Sequence, residues 1–179
     1  LKTERCLLRD ITLADTDAFY NLLTDERVYL YLGSPPLTSR QTAADRIEAT
    51  HDAFNDGDSI RWIVTLSPDD TMIGAVNIWN IRAEHHRAEL GYWLSPDYWG
   101  KGIVPEACAA VLEYAFNTMK FHSIDANIEP VNKSSQRVLE KLGFVQEAYF
   151  REDFYDPVKE QFTDSAIFSL LAKNWQKSS

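Results

Sequence analysis

The sequence predicts an α+β fold, with a mixed and mostly antiparallel sheet of about seven strands flanked by about four helices. Two pairs of strand-like segments, within residues 60–81 and 144–171, are each joined by a turn, which indicates antiparallel hairpins. Between these pairs, residues 88–119 combine a strand, a glycine-rich loop and an amphipathic helix in immediate succession. With 179 residues, the chain is large enough to bury a core as a single domain spanning residues 1–179.

Ahead of the main sheet, the sequence predicts one strand and two helices. Residues 3–9 form the strand, and the apolar spacing in residues 13–23 indicates an amphipathic helix. Residues 28–32 are an aromatic-rich piece that ends at a Gly-Ser-Pro-Pro loop, which is too rigid for regular structure. A capping box at residues 38–41 predicts the start of a second helix, which stops near Asp56.

The remaining elements follow the hydrophobic periodicity. Alternating side chains in residues 88–94 indicate a central strand, and apolar residues at spacings of three and four indicate a helix over residues 104–119. A further helix over residues 133–142 ends at Gly143, which suits a C-cap. The other predicted strands are residues 60–66, 72–81, 123–128, 144–151 and 163–171.

Composition limits the class of partner. The formal net charge is −9, and no cluster of lysines and arginines is found, which argues against a nucleic-acid partner. An acidic surface would favour a cationic acceptor, such as an amine or a basic protein N-terminus, although the charge can equally serve solubility alone. A monomer and a homodimer both remain open, because exposed sheet edges permit dimers.

Cysteine use and hydropathy indicate the compartment. Cys6 and Cys108 lie in apolar patterns and form no disulfide framework, which is typical of structural thiols in a reducing compartment. The sequence has no run of about 18 apolar residues and no signal-peptide pattern, so we expect a soluble, cytoplasmic protein that does not bind membranes. His85 and His86 have no third ligand at metal spacing, so no metal is predicted.

The loop of residues 99–103, WGKGI, predicts an anion site between the central strand and its helix. Its glycines let main-chain N–H groups approach an anion, and the helix N-terminus adds partial positive charge. A Walker A loop is excluded because no Ser or Thr follows Lys101 to hold magnesium. A dinucleotide fingerprint is excluded because Pro105 stands at its third glycine. We expect this loop to hold a pyrophosphate.

Three ordered motifs resemble the GNAT superfamily of acetyl-CoA-dependent N-acetyltransferases. The loop resembles the family's coenzyme A pattern Q/R-x-x-G-x-G/A, with Asp97 standing where the family usually has Gln or Arg. The strings AELGYWL, YWGKGI and NKSSQRVLEKLGF, with the opening TERCLLRDITLAD, are similar to the RimJ/RimL branch of ribosomal-protein N-terminal acetyltransferases. The resemblance covers essentially the whole chain. It implies a GNAT-like fold and direct transfer of an acetyl group from acetyl-CoA to a primary amine. A ribosomal-protein N-terminal α-amine is favoured over a small amine or an antibiotic.

The resemblance also implies contacts with the coenzyme. Main-chain groups of residues 92–94 would pair with the pantetheine arm, because in the family this strand diverges from its parallel neighbour. Asn132 would bond the arm, cap the following helix, or do both. For Lys101, a solvated position is the alternative to a phosphate contact. The implied coenzyme-binding residues are Trp93, Leu94, Trp99, Gly100, Lys101, Gly102, Ile103, Val104 and Asn132.

Two catalytic residues follow from the same branch. Glu89, on the strand face opposite Leu90, would act as a base toward the acceptor amine, directly or through water; the alternative is a structural carboxylate paired with Arg87 or another cation. Ser135 would donate a proton to the departing sulfur, or would satisfy a local backbone group instead. Many family members carry a tyrosine that acts as general acid where this chain has Leu139. This departure favours Ser135 as the general acid.

Two functions of other classes stay open at this stage. A non-catalytic acyl-CoA-binding regulator is supported only by the missing tyrosine, and it predicts coenzyme binding without thiol release. A nucleotide-binding α/β protein would have to prefer NAD or ATP to coenzyme A.

Overall fold

Seven strands of the computed structural model, which describes residues 1–175, form one sheet. The strands are β1 Cys6–Arg9, β2 Ile60–Leu66, β3 Gly74–Arg82, β4 Arg87–Leu94, β5 Ser123–Ile128, β6 Val145–Asp156 and β7 Gln161–Leu171. Five α-helices accompany the sheet in that range, namely α1 Thr16–Leu23, α2 Glu26–Tyr29, α3 Arg40–Asn55, α4 Ile103–Asn117 and α5 Lys133–Lys141. The predicted α+β class is confirmed, with one more helix than expected.

The order of the strands is β1-β2-β3-β4-β5-β7-β6, and every neighbouring pair is antiparallel except β4 and β5. Parallel strands need a crossover connection, and α4 supplies it. Because parallel strands end at the same edge of a sheet, the loops that follow β4 and β5 lie at one edge. The glycine loop and the start of α5 therefore come together there.

β4 and β5 are paired only at their beginnings. Their pairs are Arg87 with Ser123, Ala88 with Ile124 and Glu89 with Asp125. Beyond Glu89, β4 continues to Leu94 while it stays paired to β3 on its other side. Residues 90–94 and 126–128 therefore separate into a V-shaped opening, called the wedge below. The divergence that the family resemblance implied is present.

An ion-pair cluster around the buried Asp125 lies at the narrow end of the wedge. Asp125 accepts hydrogen bonds from Arg87 at 2.9 Å and from the Ser169 hydroxyl at 2.8 Å, and Arg82 lies 3.4 Å away. A carboxylate is costly to bury unless it is paired in this way. Because Arg87 is paired with Asp125, and no ion pair joins it to Glu89 within residues 1–175, the alternative reading of Glu89 as the partner of Arg87 is wrong.

The sheet separates two apolar clusters. On one face, α4 and α5 cover the buried side chains of Leu90 and Leu94. On the other face, Phe19 of α1 and Ile47 of α3 form the second cluster. Trp93 alternates with Leu94 along β4, so it faces α1, where its ring lies 6.0 Å from that of Phe19. β4 thus contributes side chains to both layers.

The structure corrects several local predictions. The aromatic-rich piece at residues 28–32 begins inside α2. Asp25 caps this helix, because its Oδ1 accepts a hydrogen bond from the backbone N–H of Arg27 at 3.0 Å. A single helical turn is too short to show a period in the sequence. The capping box of α3 is made by Ser39 and Thr42, one residue later than predicted. β6 runs to Asp156, past its predicted end at residue 151.

Candidate active site

A cleft of about 780 Å³ passes through the wedge and is lined from both faces of the sheet. One end, called the loop end, is formed by residues 98–105 and 132–138. The other end, called the helical end, is formed by residues of α1, α2, α3 and β2. A cleft of this volume suits small organic ligands. It connects the predicted pyrophosphate loop to the opposite face of the sheet.

Gly100 and Gly102 adopt left-handed backbone angles, with φ of +72° and +74°. A Cβ at Gly100 would meet nothing within 4 Å, so glycine is required there for its conformation rather than for space. Gly102 is the N-cap of α4, and Ile103 and Val104 open the helix, where N–H groups have no intrahelical partner. All four residues line the cleft. The loop can therefore bind a pyrophosphate through main-chain N–H groups and the helix dipole.

Trp99 and Lys101 lie on the same loop but differ in placement. The indole N–H of Trp99 donates to the Leu94 carbonyl at 2.9 Å, and the ring is 49% exposed where it lines the cleft. The Lys101 ammonium lies 5.2 Å from the centre of the Tyr98 ring, and Lys101 does not line the cleft. The other eight predicted coenzyme-binding residues all do.

A strap from the N-terminal segment holds the glycine loop. The Arg5 guanidinium donates to Glu106 Oε2 at 2.6 Å and to the Lys101 carbonyl at 2.8 Å, and the Thr3 hydroxyl donates to Glu106 Oε1 at 2.5 Å. Burial alone would raise the pKa of Glu106, but the hydrogen bonds from Thr3 and Arg5 together lower it. Sequence analysis missed this strap, because Arg5 and Glu106 are 101 residues apart and no local pattern joins them.

Replacing Glu106 with glutamine is expected to lower the melting temperature at neutral pH and to matter less in acid. Because the folded-state pKa is below the ordinary value of 4.5, the stabilising contribution is present above that value and is lost as pH falls through the folded-state pKa. We expect a difference on the order of 1 kcal/mol at pH 7, since the partners are partly exposed and screened. Thermal melts of both proteins between pH 7 and 3 measure it, and a difference that stays constant would contradict it.

Asn132 begins α5 and caps it. Its Oδ1 accepts from the backbone N–H of Ser135 at 3.1 Å and from the Ser134 hydroxyl at 2.7 Å, so the predicted N-cap is confirmed. The side chain also lines the cleft, and its NH₂ group has no hydrogen-bond partner within residues 1–175. The cap therefore leaves the amide donors free for a ligand.

A pair of hydroxyl groups joins β4 to α5. Ser135 Oγ and Tyr92 Oη are 2.7 Å apart, and the Tyr92 hydroxyl also donates to the Ser135 carbonyl at 3.2 Å. Burial raises the pKa of Tyr92, so the phenol stays protonated at neutral pH. Both residues line the cleft. Sequence analysis selected Ser135 but not Tyr92; the alternation that places Tyr92 on the α4 and α5 face was the signal available. Leu139, which replaces the family's usual tyrosine, is fully buried in the core.

Glu89 is the last residue of β4 that pairs with β5, at the narrow end of the wedge. Its Oε1 accepts from Asn80 Nδ2 at 2.6 Å. It lies opposite Trp79 on β3, so both side chains share the face covered by α1 and α3. Trp79 lines the cleft, whereas Glu89 does not. A contact between Glu89 and an acceptor amine therefore needs a bridging water or an acceptor that reaches past Trp79.

Within residues 1–175, no group of three or more His, Cys, Asp or Glu side chains is placed to hold a metal ion. No helix in that range is long and apolar enough to cross a bilayer. His85 and His86 are exposed in the turn before β4.

Comparisons with known proteins identify the family. A match to the acetyltransferase (GNAT) domain covers residues 5–145. The chain is 33% identical over 175 residues to the uncharacterized N-acetyltransferase p20 of Bacillus licheniformis. This alignment covers 98% of this chain and 97% of that protein. It is 34% identical over 112 residues to the ribosomal protein uS5-alanine N-acetyltransferase of Escherichia coli. This alignment covers 62% of this chain and 57% of that protein.

A solved structure has the same fold. The spermidine N-acetyltransferase of Vibrio cholerae, in complex with CoA and spermine, matches with a TM-score of 0.84 at 22% identity, over 96% of this chain and 98% of that chain. The domain match includes the glycine loop, both strands of the wedge and α5. These findings favour an enzyme over the regulator and the nucleotide-binding protein considered above. The chain therefore belongs to the GNAT acetyltransferase family, as an acetyl-CoA-dependent N-acetyltransferase.

Proposed function

We propose that this enzyme acetylates the N-terminal α-amine of a protein, in the first instance a ribosomal protein, by direct transfer in a ternary complex. The observation that carries the proposal is the wedge, because it joins the glycine loop to the face covered by α1 and α3. A thioester held in the wedge would be open to an amine from that face. Similarity to the uS5-alanine enzyme supports a protein N-terminus as the acceptor.

The cysteines support direct transfer rather than an acyl-enzyme. Cys6 and Cys108 are both buried, and burial raises the pKa of each thiol. Neither lines the cleft. The amine nitrogen therefore attacks the thioester carbon itself, the C–N bond forms as the C–S bond breaks, and the amine loses a proton. Two free thiols also support action in the reducing cytoplasm.

Residues at the loop end would hold acetyl-CoA along its length. Main-chain N–H groups from Gly100 to Val104 would bind the pyrophosphate, where the α4 dipole favours negative charge. The Asn132 amide would donate to the pantetheine arm. Main-chain groups of residues 92–94, which face the wedge rather than β5, would pair with the arm's amides as an added strand does.

Glu89 would accept the proton of the attacking amine through a water molecule. The hydrogen bond from Asn80 holds its carboxylate on the face of the sheet covered by α1 and α3. An α-amine has a pKa near ~8, so a fraction of it is already neutral at pH 7 and one proton transfer through water is sufficient. A side-chain lysine, with a pKa near ~10.4, would demand a stronger base.

Ser135 and Tyr92 would together stabilise the leaving thiolate through a hydrogen-bond relay. The Ser135 hydroxyl would donate to the sulfur, and the Tyr92 hydroxyl, whose raised pKa keeps it protonated, would donate to Ser135 Oγ. The thiolate then takes its proton from solvent, which receives the proton that the amine loses. A free thiol has a pKa near ~8.5, so the thiolate is a fair leaving group without help. We therefore expect this pair to contribute only moderately to the rate acceleration.

Replacing Ser135 with alanine is expected to lower kcat about tenfold, less than the usual ~100-fold or more of general-acid effects, because the thiolate is a fair leaving group. Tyr92→Phe keeps the ring and removes only the hydroxyl, so it should lower kcat by a similar factor. If the two hydroxyls act in series, the double variant should be no slower than Ser135→Ala alone. Steady-state thiol release measures kcat, and melting temperatures control for folding. An unchanged kcat in Ser135→Ala, or fully additive losses, would contradict the relay.

The proposed function is tested by binding and transfer in one sample. Calorimetry with acetyl-CoA should show one site, and thiol release should follow when a peptide with a free N-terminal alanine is added. The same peptide with an acetylated N-terminus is the matched control and should release nothing. Lysine, spermidine and an aminoglycoside complete the panel. Binding without release from the free peptide, or release with spermidine or the aminoglycoside alone, would refute a protein N-terminus as the acceptor.

A further inference from the structure

The helical end of the cleft is cationic, although the chain carries a net charge of −9. Arg27, Arg46 and Arg61 line this end, from α2, α3 and β2, and Arg137 lines the loop end. Within the described residues, no aspartate or glutamate lines the cleft. Arg27 is paired with Asp25 at 2.6 Å on the surface. Arg46 and Arg61 are therefore left as unbalanced positive charges.

Arg61 is held in place without an anionic partner. Its Nη1 donates to the Thr50 hydroxyl at 3.1 Å, which directs the guanidinium toward α3. Its Nε is buried and has no hydrogen-bond partner within residues 1–175. Burial, and then the charge of Arg46, lower the pKa of Arg61. Because an unpartnered buried donor is costly, the arrangement indicates a partner that arrives with a ligand.

Asp58 lies beside Arg61 but does not neutralise it. Asp58 shares a shallow depression with Arg61 on the same face of the sheet. No ion pair within 4 Å joins the two in the described part of the chain, and the charge that affects the Arg61 pKa is that of Arg46. The site for an anion therefore remains open.

The sheet register connects Arg61 to the wedge. Arg61 pairs with Asn77, and Asn77 pairs with Gly91, so the three residues share one row on the face covered by α1 and α3. Gly91 has no side chain, and the Asn77 amide occupies the space beside it, since a Cβ there would lie 3.0 Å from Asn77 Nδ2. Arg61, Asn77 and Gly91 all line the cleft. Adjacent strands are about 4.8 Å apart, which places the Arg61 backbone roughly 10 Å from β4. One acceptor molecule can therefore reach both places.

We infer that Arg46 and Arg61 bind a carboxylate on the acceptor, within about three residues of the reactive α-amine, since an extended residue spans about 3.3–3.6 Å. Two guanidinium groups offer several N–H donors in the planar geometry that a carboxylate accepts. The inference rests on the proposed function and narrows it to N-termini with an acidic residue near the start. Polyamines are disfavoured as acceptors. The expected acceptor is an acidic N-terminus and not the basic one that the net charge suggested.

A set of matched peptides tests the preference directly. Each peptide has a free N-terminal alanine, three further positions and an amidated C-terminus, so that a glutamate at position two, three or four carries the only carboxylate. Glutamine and lysine replace that glutamate in the matched peptides. At one position, kcat/KM should be about tenfold higher or more with glutamate than with glutamine, and lowest with lysine, as expected for a charge-assisted hydrogen bond.

Two variants identify the residues responsible. Arg46→Glu should reverse the preference, so that the lysine peptide is used better than the glutamate peptide. Arg61→Lys keeps the charge but loses the planar donor set, so it should reduce the preference without reversing it. Arg40→Gln is the matched control, because Arg40 lies on the same helix but pairs with Asp17 outside the cleft, and it should behave as the wild type. Melting temperatures show whether each variant is folded.

The outcomes separate this inference from the function on which it rests. Equal use of the glutamate, glutamine and lysine peptides by the wild type would overturn the inference and leave N-terminal acetylation intact. An unchanged preference in Arg46→Glu, with the protein folded, would also overturn it. Thiol release from no peptide at all would instead overturn the proposed function, and the inference with it.

Discussion

Replacing Gly102 with valine is expected to weaken acetyl-CoA binding by at least about 100-fold, which corresponds to about 2.7 kcal/mol. Gly102 has a φ of +74°, a region in which a β-branched residue is strained by roughly 1–2 kcal/mol. Relief of that strain would turn the N–H groups that open α4 away from the pyrophosphate, and each lost hydrogen bond to a charged group costs about 1.5–3 kcal/mol. Loss of two such hydrogen bonds is sufficient for the stated loss.

The chain offers a matched control for this experiment in Gly57, which lies just after α3. Its φ is +78°, so Gly57→Val carries the same backbone strain away from the cleft. A Cβ at Gly57 would meet nothing within 4 Å, and one at Gly102 would make only an ordinary contact with Arg5, at 3.5 Å. Calorimetry with acetyl-CoA should show a large loss for Gly102→Val and a nearly unchanged affinity for Gly57→Val. Gly102→Asn should lie between them, because asparagine tolerates left-handed angles. An affinity for Gly102→Val within threefold of the Gly57→Val value would contradict our description of the loop.

Replacing Glu89 with glutamine should lower kcat/KM for an N-terminal peptide about 100-fold at pH 7, at the low end of general-base effects. Glutamine keeps an oxygen that can accept from Asn80, so the side chain should stay in place while its basicity is lost. The defect should shrink as the pH rises above about 8, because the α-amine is then already neutral and needs no base. A merely structural role for Glu89 would not produce this convergence.

A pH profile of thiol release between pH 6 and 10 distinguishes these roles. Glu84→Gln is the control, because Glu84 is an exposed acid in the turn before β4 and makes the same change in net charge. It should follow the wild-type profile throughout. Full activity of Glu89→Gln at neutral pH would remove Glu89 from the base role, and a defect of equal size at every pH would indicate that Glu89 only supports the strand.

The sequence was sufficient for most elements and for the coenzyme loop. The strands predicted at residues 60–66 and 123–128 coincide with β2 and β5, and the Asn132 cap and the Gly143 terminator lie where they were expected. These features depend on periodicity, capping and left-handed glycines, and each is determined by residues a few positions apart. Most residues taken from motifs line the cleft for the same reason, because a motif carries its own local geometry. Lys101 and Glu89 do not: the ammonium of Lys101 lies over the Tyr98 ring, and the carboxylate of Glu89 is held by Asn80.

The tertiary structure alone decided which distant side chains meet. The pairs that sequence analysis missed all join separate elements: Arg5 with Glu106, Tyr92 with Ser135, Arg87 with Asp125, and Arg46 with Arg61. Their proximity follows from strand order, register and helix placement, which no local pattern contains. By itself, the sequence therefore determined most strands and helices, the glycine loop and the family. The positive charge of the helical end of the cleft was decided only by the tertiary structure. A net charge is a sum over the whole chain, whereas binding depends on which charges face the same cleft.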